Sequence, residues 1–328
     1  MSRDDPIDTI VARATDDMRG ALCALDAMLP VRGDPADPGE LIALLRMLYR
    51  IARLDLPLAR LFEGHVDAIQ IIARYADPAM AADGLLGVWN AALPGEPLRV
   101  EDGRLYGGKS FASGAGILSH AIVGADTPQG NRLLLVDLSA SAPSIDRDWW
   151  QVVGMQRSRS HIVRWDGADR TSFRSVGEPG DYAREPYFSG GALRFVAAHA
   201  GGVAALFDHV RRHLTATERA DEPHQSARLA SLYAAASAAA AAVRDAAATW
   251  GTPSFVDHVA AARIAVADRA ECAIVTAQQA VGVGGLFDAH PLSQSLTDLM
   301  VYLRQPAPDA QRMRVGKAVV DAVLVPGL

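Results

Sequence analysis

Residues 103–110, GRLYGGKS, have the spacing of a phosphate-binding loop. In the pattern G-x-x-x-x-G-K-[ST] the glycines let backbone N–H groups approach phosphates, and the lysine reaches the outer phosphates. The stretch LLLVD at 133–137 is typical of a strand whose final aspartate holds magnesium beside such a loop. Together the two stretches raise the hypothesis of a nucleotide site.

The flanking residues argue against a phosphate loop, which needs a buried strand before it and a helix directly after it. Here the following segment carries Gly114 and Gly116 where the first helical turns would lie. Each glycine costs a helix about 1 kcal/mol relative to alanine. Strands and helices also do not alternate around the stretch, as a parallel sheet requires. We therefore predict a β-hairpin that turns at 101–103.

Metal and thiol chemistry is not indicated by the remaining residue types. The nine histidines show no H-x-H spacing and no cysteine partner, so we predict no metal site. Cys23 and Cys272 lie outside any C-x-x-C pair, which predicts free thiols in a reducing compartment, with a structural disulfide as the alternative. His65 could face a site, whereas His199 and His209 are expected to face solvent.

Charge and composition limit the classes of partner. The 328 residues carry a net charge of −6 without a run of Lys or Arg, which excludes a basic footprint for nucleic acid. The N-terminus lacks an apolar h-region, so no signal peptide is expected. The alanine-rich run at 232–243 is judged too short and too weakly apolar to span a membrane. We predict a cytoplasmic protein that does not bind membranes.

The pattern of apolar residues divides the chain into three regions. Residues 1–86 repeat apolar positions every three or four residues and predict helices. Residues 87–190 predict short strands at roughly ten-residue spacing. Residues 191–328 predict three long helices and two shorter ones. The predicted fold class is α+β multidomain, with an N-terminal helical domain, a central antiparallel β-barrel or sandwich, and a C-terminal helical bundle.

Three motifs on this layout resemble one family. They are GGKSFASGAG at 107–116, GMQRSRSHIVRWDG at 154–167 and AQQAVGVGGLFDAHPLSQSLTD at 277–298. Their order is similar to that in acyl-CoA dehydrogenases and their relatives, which place a β-domain between a helical domain and a four-helix bundle. The resemblance covers about residues 45–320.

The resemblance implies a flavin site. It implies FAD as the cofactor, with FMN as the alternative, and a homodimer or homotetramer in which the bundle supplies the subunit contact. The residues that it implies at the cofactor are Trp89, Asn90, Phe111, Ser113, Arg157, Gln279, Gly282 and Gly284. Structural alternatives remain for several of them: Ser113 as a solvated strand residue, Trp89 as core, Arg157 as a surface charge, and the glycines as a helix end.

One segment is more similar to the flavin monooxygenase branch of the superfamily. GVWNAAL at 87–93 stands where ordinary dehydrogenases carry a T-E-P-x-x-G-S-D type segment. HPLSQ, which begins at His290, is similar to the H-x-L-x-R stretch of that branch. A monooxygenase needs reduced flavin from a separate reductase, because the sequence shows no nicotinamide-binding motif.

Departures from the family pattern keep the reaction open. The family's base would fall at Pro306, and no glutamate follows Glu271. Gln294 and Thr297 stand in place of two arginines, and the N-terminal helical region looks shortened. The candidate catalytic residues are therefore His290 and Arg304, the latter where the monooxygenase branch often has a histidine.

The sequence predicts an acyl-CoA dehydrogenase-like flavin oxidoreductase that acts on an acyl-CoA or another small organic substrate. A monooxygenase that uses reduced flavin is the first alternative. A family member that has lost catalysis and serves as a scaffold or partner subunit is the second. A flavin reductase or an electron-transfer protein is the expected partner of an active enzyme.

Overall fold

The computed structural model describes residues 5–76, 80 and 83–327. Within them, helices come first, strands follow and helices close the chain. The helices are α1 Pro6–Arg13, α2 Met18–Asp26, α3 Pro38–Leu54, α4 Leu56–Tyr75, α5 Tyr187–Ala216, α6 Pro223–Ala248, α7 Phe255–Val281, α8 Pro291–Tyr302 and α9 Pro308–Val320. The strands are β1 Leu86–Trp89, β2 Arg99–Glu101, β3 Arg104–Ala112, β4 His120–Thr127, β5 Gly130–Asp137, β6 Ser144–Asp146, β7 His161–Ala168 and β8 Phe173–Val176.

The chain forms two compact units, which are described separately. The first unit comprises the described part of Met1–Asp34 together with Arg60–Val152 and Gln156–Arg184. The second unit comprises Pro35–Ala59, Val153–Met155 and the chain from Glu185 onward. The three-part division at residues 86 and 190 stays a prediction about where domains begin and end.

Aspartates begin the N-terminal helices because their carboxylates satisfy N–H groups that lack a partner inside the helix. At α3, Asp37 accepts a bond from the N–H of Glu40 at 2.9 Å, and Pro38 occupies the first turn. Glu40 in turn accepts from the N–H of Ala36 at 2.8 Å. This capping by two carboxylates fixes the start of α3.

A mixed eight-stranded sheet forms the centre of the first unit. Its order is β6-β7-β3-β2-β4-β5-β8, and β1 also pairs with β4. The β2–β3 pair is the predicted hairpin, with Asp102 and Gly103 at its turn in the left-handed region. The pairs β1–β4 and β2–β4 are parallel, unlike the all-antiparallel prediction. Because long connections separate these partners, no tight turn forces them to run in opposite directions.

Helix α4 packs its apolar face on this sheet. Ala68 and Ile71 of the helix join buried side chains from four strands in one core cluster. The strand residues of that cluster are Leu86, Ile122, Leu133, Leu135 and Val176. Strand side chains alternate between the two sheet faces, so this cluster fixes which residues of β4 and β5 point toward the helix.

The second unit is a bundle in which α3 packs closely against α5. An added Cβ at Gly201 would overlap the carbonyl oxygen of Tyr49 and lie 2.8 Å from the Cβ of Ala52. Arg53 and Asp208 join the same two helices through two hydrogen bonds of 2.6 and 2.9 Å. A glycine contact and a bidentate ion pair therefore hold these helices together.

Two helices in the described part of the chain, α5 and α6, are long and apolar enough to cross a membrane. Most of the apolar stretch of α5, 78%, is buried, as expected of a core helix, whereas 28% of the apolar stretch of α6 is buried. The alanine run at 232–243 lies within α6, one of the predicted long helices, which has 26 residues. Long apolar helices also occur in the cores of soluble proteins, so the test does not indicate a membrane protein.

Both cysteines are free and exposed. Cys23 lies in α2 of the first unit, and Cys272 lies in α7 of the second. The prediction of two free thiols is confirmed, and a disulfide between them is not formed.

Candidate functional site

The stretch GRLYGGKS does not form a phosphate loop, which confirms the prediction made from its flanking residues. It runs from the hairpin turn into β3, and left-handed turns at Gly114 and Gly116 follow instead of a helix. Lys109 is buried, and this burial lowers the pKa of its ammonium group, while Asp126 partly offsets the effect. The lysine therefore lies in the interior of the first unit rather than at an exposed anion site.

Phe111 stands at an irregularity where β3 and β7 lose register. Its φ of 52° is left-handed, and its side chain is 52% exposed. The ring contacts Trp149 edge-on at 4.9 Å between centroids and lies 6.1 Å from Trp150. We call Phe111, Trp149 and Trp150 the aromatic cluster; it offers apolar ring surface to a flat ligand.

Ser113 begins a buried chain of three hydroxyl groups. Its Oγ lies 2.7 Å from Oγ of Ser160, which lies 2.8 Å from Oγ of Ser158. The carbonyl of Ser113 accepts a 2.8 Å hydrogen bond from Nε1 of Trp89, a fully buried side chain. The structure thus brings two predicted site residues together, with Trp89 fixing the backbone at Ser113.

Asn90 and Arg157 also make contacts within the first unit. The Asn90 amide occupies the space over Gly124 and hydrogen-bonds Tyr182. Burial raises the pKa of the Tyr182 phenol to about 12. Arg157 donates to the carbonyl of Ala14 at 2.8 Å. These contacts hold local structure, and a cofactor role for either side chain stays a prediction.

Gln279, Gly282 and Gly284 lie at the end of α7 in the second unit. The helix ends at Gly282, whose φ is 76° and whose N–H donates to the carbonyl of Gln278 at 2.8 Å. A 3₁₀ turn, Val283–Leu286, follows, and Gln279 is exposed. The glycines thus build a helix end with exposed backbone, and nucleotide binding there stays a prediction.

His290 caps α8 rather than standing free. Its Nδ1 accepts from the N–H of Leu292 at 3.1 Å, so its proton is on Nε2. Nε2 lies 3.2 Å from Nδ1 of His213 and donates to it. Burial and the neighbouring His290 lower the pKa of His213. The two rings are therefore hydrogen-bonded to each other.

Arg304 is exposed and forms an ion pair with Glu271 at 3.1 Å. Exposed pairs of this kind contribute little to stability, on the order of 0–1 kcal/mol. The pair is far from a preorganised catalytic arrangement, because both side chains are more than half exposed. A catalytic role for Arg304 stays a prediction.

His65 is buried and cannot act as a free base. Its Nδ1 accepts from the N–H of Leu86 at 3.0 Å, and its Nε2 lies 3.0 Å from Oδ1 of Asp26. Nε2 therefore carries the proton and donates a hydrogen bond to the carboxylate of Asp26. The pair resembles a catalytic dyad in composition, but its acceptor nitrogen is already occupied by backbone.

The prediction that His199 and His209 face solvent is wrong. His199 is 4% exposed, and burial lowers its pKa to about 3, while His209 is partly buried with its pKa lowered to about 4. His199 donates from Nε2 to the carbonyl of Tyr302 at 3.1 Å. The spacing of these histidines on α5 gave no sign of the elements that cover them.

Acid is expected to destabilise the protein partly through His199. In the unfolded chain its pKa is about 6.5, so that state takes up the proton first as pH falls. The stabilisation is complete above pH 6.5 and is lost as pH falls toward 3. Between pH 7 and pH 5 we expect His199 to lower the free energy of unfolding of the wild type by about 2 kcal/mol, and His199→Gln to lack this decrease. Urea unfolding between pH 7 and 5 measures this, with the exposed His224→Gln as control; equal slopes for both variants would contradict it.

Several residues at these sites were not predicted from the sequence. Trp149 and Trp150 complete the aromatic cluster, and Ser158 and Ser160 complete the hydroxyl chain. Two adjacent tryptophans after a strand, and alternating serines before another, were the available signals. Their link to Phe111 and Ser113 depends on pairing between β3 and β7, which one sequence does not show.

Solved structures give the clearest comparison. The 3-HSA hydroxylase from Rhodococcus sp. RHA1 is 16% identical, with a TM-score of 0.76 over 98% of this chain and 96% of that one. FMN-bound TdsC from Paenibacillus sp. A11-2 is 16% identical, with a TM-score of 0.79 over 98% and 96%. Butyryl-CoA dehydrogenase from Megasphaera elsdenii is 15% identical, with a TM-score of 0.75 over 98% and 99%.

The chain has the acyl-CoA dehydrogenase-like fold. No family model and no curated protein matches its sequence. The family resemblance inferred from three motifs is thus confirmed at the level of the fold.

Within this acyl-CoA dehydrogenase-like fold, the segment between α8 and α9 runs from Leu303 to Ala307 and contains no carboxylate. Ala307 is left-handed with a φ of 57°. Pro306, at the position where the sequence analysis looked for a base, offers only its carbonyl, which accepts from Arg263 at 3.1 Å. The segment therefore supplies no side chain that could remove a substrate proton.

Proposed function

We propose that this chain is a flavin-dependent oxidoreductase that acts on a small organic substrate. The observation that carries the proposal is the exposed Phe111, held in a left-handed bulge two residues before the buried Ser113. Left-handed backbone is strained for an aromatic residue and is found mainly where the surrounding structure and function require it. The solved structures of similar fold include a hydroxylase, monooxygenases and a dehydrogenase.

The residues of the first unit fit a flavin. An isoalloxazine ring has flat apolar faces and a polar edge, and the aromatic cluster and the hydroxyl chain supply matching surfaces. Phe111 would contact the ring, and Ser113 would hydrogen-bond its edge. As the family resemblance implies, Gln279, Gly282 and Gly284 would bind the nucleotide part of FAD across a subunit contact. FMN is the alternative, and it is the flavin bound in the TdsC structure. When bound, the flavin would supply the redox chemistry.

Oxygenation with reduced flavin is the reaction that the residues favour. Dehydrogenation of an acyl thioester needs a base for the weakly acidic α-proton. The α8–α9 segment has no carboxylate, and Asp309 is the next acidic residue along the chain. A flavin reductase would then be the partner, and a homodimer or homotetramer the assembly. Dehydrogenation with an electron-transfer partner remains the competing reaction, and cytoplasmic location stays a prediction.

Loss of catalysis is a second candidate, favoured by a specific observation. His290 is occupied by Leu292 and His213, and Arg304 is paired with Glu271. Both residues that sequence reasoning chose for catalysis thus have structural partners. A chain that binds no flavin and serves as a scaffold or partner subunit would show the same contacts.

Flavin titration tests the proposal first. We expect the purified protein to bind FAD or FMN, and Phe111→Ala to weaken binding about tenfold because a ring contact of roughly 1 kcal/mol and its buried area are lost. Phe111→Trp should retain binding, and Tyr233→Ala, an exposed ring on α6, is the control. Quenching of flavin fluorescence measures the affinity for flavin of the wild type and of each variant. If the protein binds neither FAD nor FMN, the proposal is wrong, and the function that remains is that of a scaffold or partner subunit.

Isotope labelling separates the two reactions. The mass of a ligand that co-purifies with the protein identifies a candidate substrate, which is then incubated with a flavin reductase, NADH and ¹⁸O₂. Incorporation of ¹⁸O into the product is the expected result. Loss of two hydrogens without incorporated oxygen would show dehydrogenation instead.

A further inference from the structure

A small cavity opens in the second unit between α5, α7 and the segment that leads into α9. Its volume is about 60 Å³. Apolar side chains form part of the wall, and polar or charged groups converge on the rest. Its lining includes Phe195, His199, Arg263, Gln305, Gln311 and Arg312.

Arg263 is the cation of this cavity. In the described part of the chain no carboxylate oxygen lies within 4.0 Å of its guanidinium. Its contacts are the carbonyl of Pro306 at 3.1 Å and the face of Phe195, 5.1 Å from the ring centroid. Two contacts leave most of the five N–H donors of an arginine uncommitted.

The nearby arginines on α9 are paired, unlike Arg263. Arg312 donates to Asp268 at 2.9 Å, and Arg314 donates to Asp257 at 2.7 Å. Acidic residues on α7 thus neutralise each arginine that α9 presents to it. Arg263 lies on the same helix between Asp257 and Asp268 and has neither as a partner.

Burial makes this lack of an anion costly. Loss of water lowers the pKa of the Arg263 guanidinium, and no neighbouring acid offsets it. A partly buried charge without a counter-charge destabilises a protein unless a ligand supplies one. The environment of Arg263 therefore favours an anion that the chain itself does not provide.

The other polar groups in the wall are neutral. His199 donates from Nε2 to the carbonyl of Tyr302, and burial keeps it uncharged by lowering its pKa to about 3. Gln305 donates to the same carbonyl at 2.9 Å. Gln311 brings a further amide. Because Arg312 is already paired, the cavity has one uncompensated positive charge.

We propose that this cavity binds a small monocarboxylate, held by the Arg263 guanidinium. A carboxylate matches the fork of the guanidinium and accepts two parallel N–H bonds from it. The cavity volume equals about two water molecules, which suits an acetate-sized group or the carboxylate end of a longer molecule. The site lies wholly in the second unit and does not depend on the proposed flavin chemistry.

Acetate is the probe that tests the site. Saturation-transfer NMR of the acetate methyl group is recorded with the full-length protein at constant ionic strength, with sodium chloride as the balancing salt. We expect saturable binding in the millimolar range, as befits so small a ligand. Arg263→Met should weaken it at least tenfold, and Arg263→Lys should weaken it less. Arg269→Met, an exposed arginine on the same helix, is the matched control and should bind like the wild type.

A second variant guards against loss of folding. Ala267→Leu fills the cavity wall while keeping Arg263, and it should also abolish the acetate signal. Equal binding by wild type and Arg263→Met would overturn the proposal, as would the absence of a saturable signal in the wild type. Inorganic phosphate that binds where acetate does not would overturn the carboxylate assignment.

Discussion

Replacing Gly154 with alanine is expected to lower the free energy of unfolding of the second unit by about 3 kcal/mol or more. An added Cβ would overlap the carbonyl carbon and oxygen of Thr297. Both are backbone atoms of α8, so no side-chain rotation can relieve the overlap. The displaced turn would also break the hydrogen bond from the N–H of Met155 to the buried carboxylate of Asp298.

The midpoint of urea unfolding measures this loss. Val153→Ala changes the adjacent residue, whose side chain is exposed, and should stay within about 0.5 kcal/mol of the wild type. A Gly154→Ala protein that unfolds within the same margin would show that the turn and α8 can separate at little cost.

Replacing Gly201 with alanine should lower the free energy of unfolding by a similar amount, about 3 kcal/mol, because α3 and α5 pack backbone against backbone there. The new methyl group would overlap the carbonyl oxygen of Tyr49 and force α3 outward. That movement would also stretch the two hydrogen bonds between Arg53 and Asp208. Two stabilising contacts are thus lost through one methyl group.

Two other glycines provide a graded control. At Gly202 an added Cβ meets the side-chain ends of Leu56 and Leu299, which can move, so its loss should be smaller. At Gly316, in α9, nothing lies within 4 Å of the added atom. There alanine should stabilise by up to about 1 kcal/mol through helix propensity. In urea unfolding, the decrease in free energy of unfolding should be largest for Gly201→Ala, smaller for Gly202→Ala and smallest for Gly316→Ala. Another order would contradict the packing argument.

Local chemistry explains why much of the fold was predictable. The Asp37-Pro38 start of α3 and the hairpin turn at Asp102-Gly103 both follow from side chains or backbone freedom within four residues. The long helices of the second unit follow from apolar periodicity, which one sequence displays directly. Gly114 and Gly116 argued against the helix that a phosphate loop needs, and in the structure both lie in left-handed turns.

Long-range packing explains what was not predictable. The parallel pairing of β1 with β4 joins residues more than thirty positions apart, and no turn signal records it. The burial of His199 depends on Tyr302, about a hundred residues away. The same holds at the candidate site. Phe111 and Ser113 were found by motif, but the tryptophans and serines that complete it come from other segments.

The two exposed cysteines allow the arrangement of the units to be measured directly. Because Cys23 lies in the first unit and Cys272 in the second, the native chain already carries one thiol for labelling on each. A donor and an acceptor dye, or a pair of nitroxides, can therefore be attached without introducing a cysteine. The distance between the labels, recorded with and without flavin, would report whether ligand binding moves one unit relative to the other.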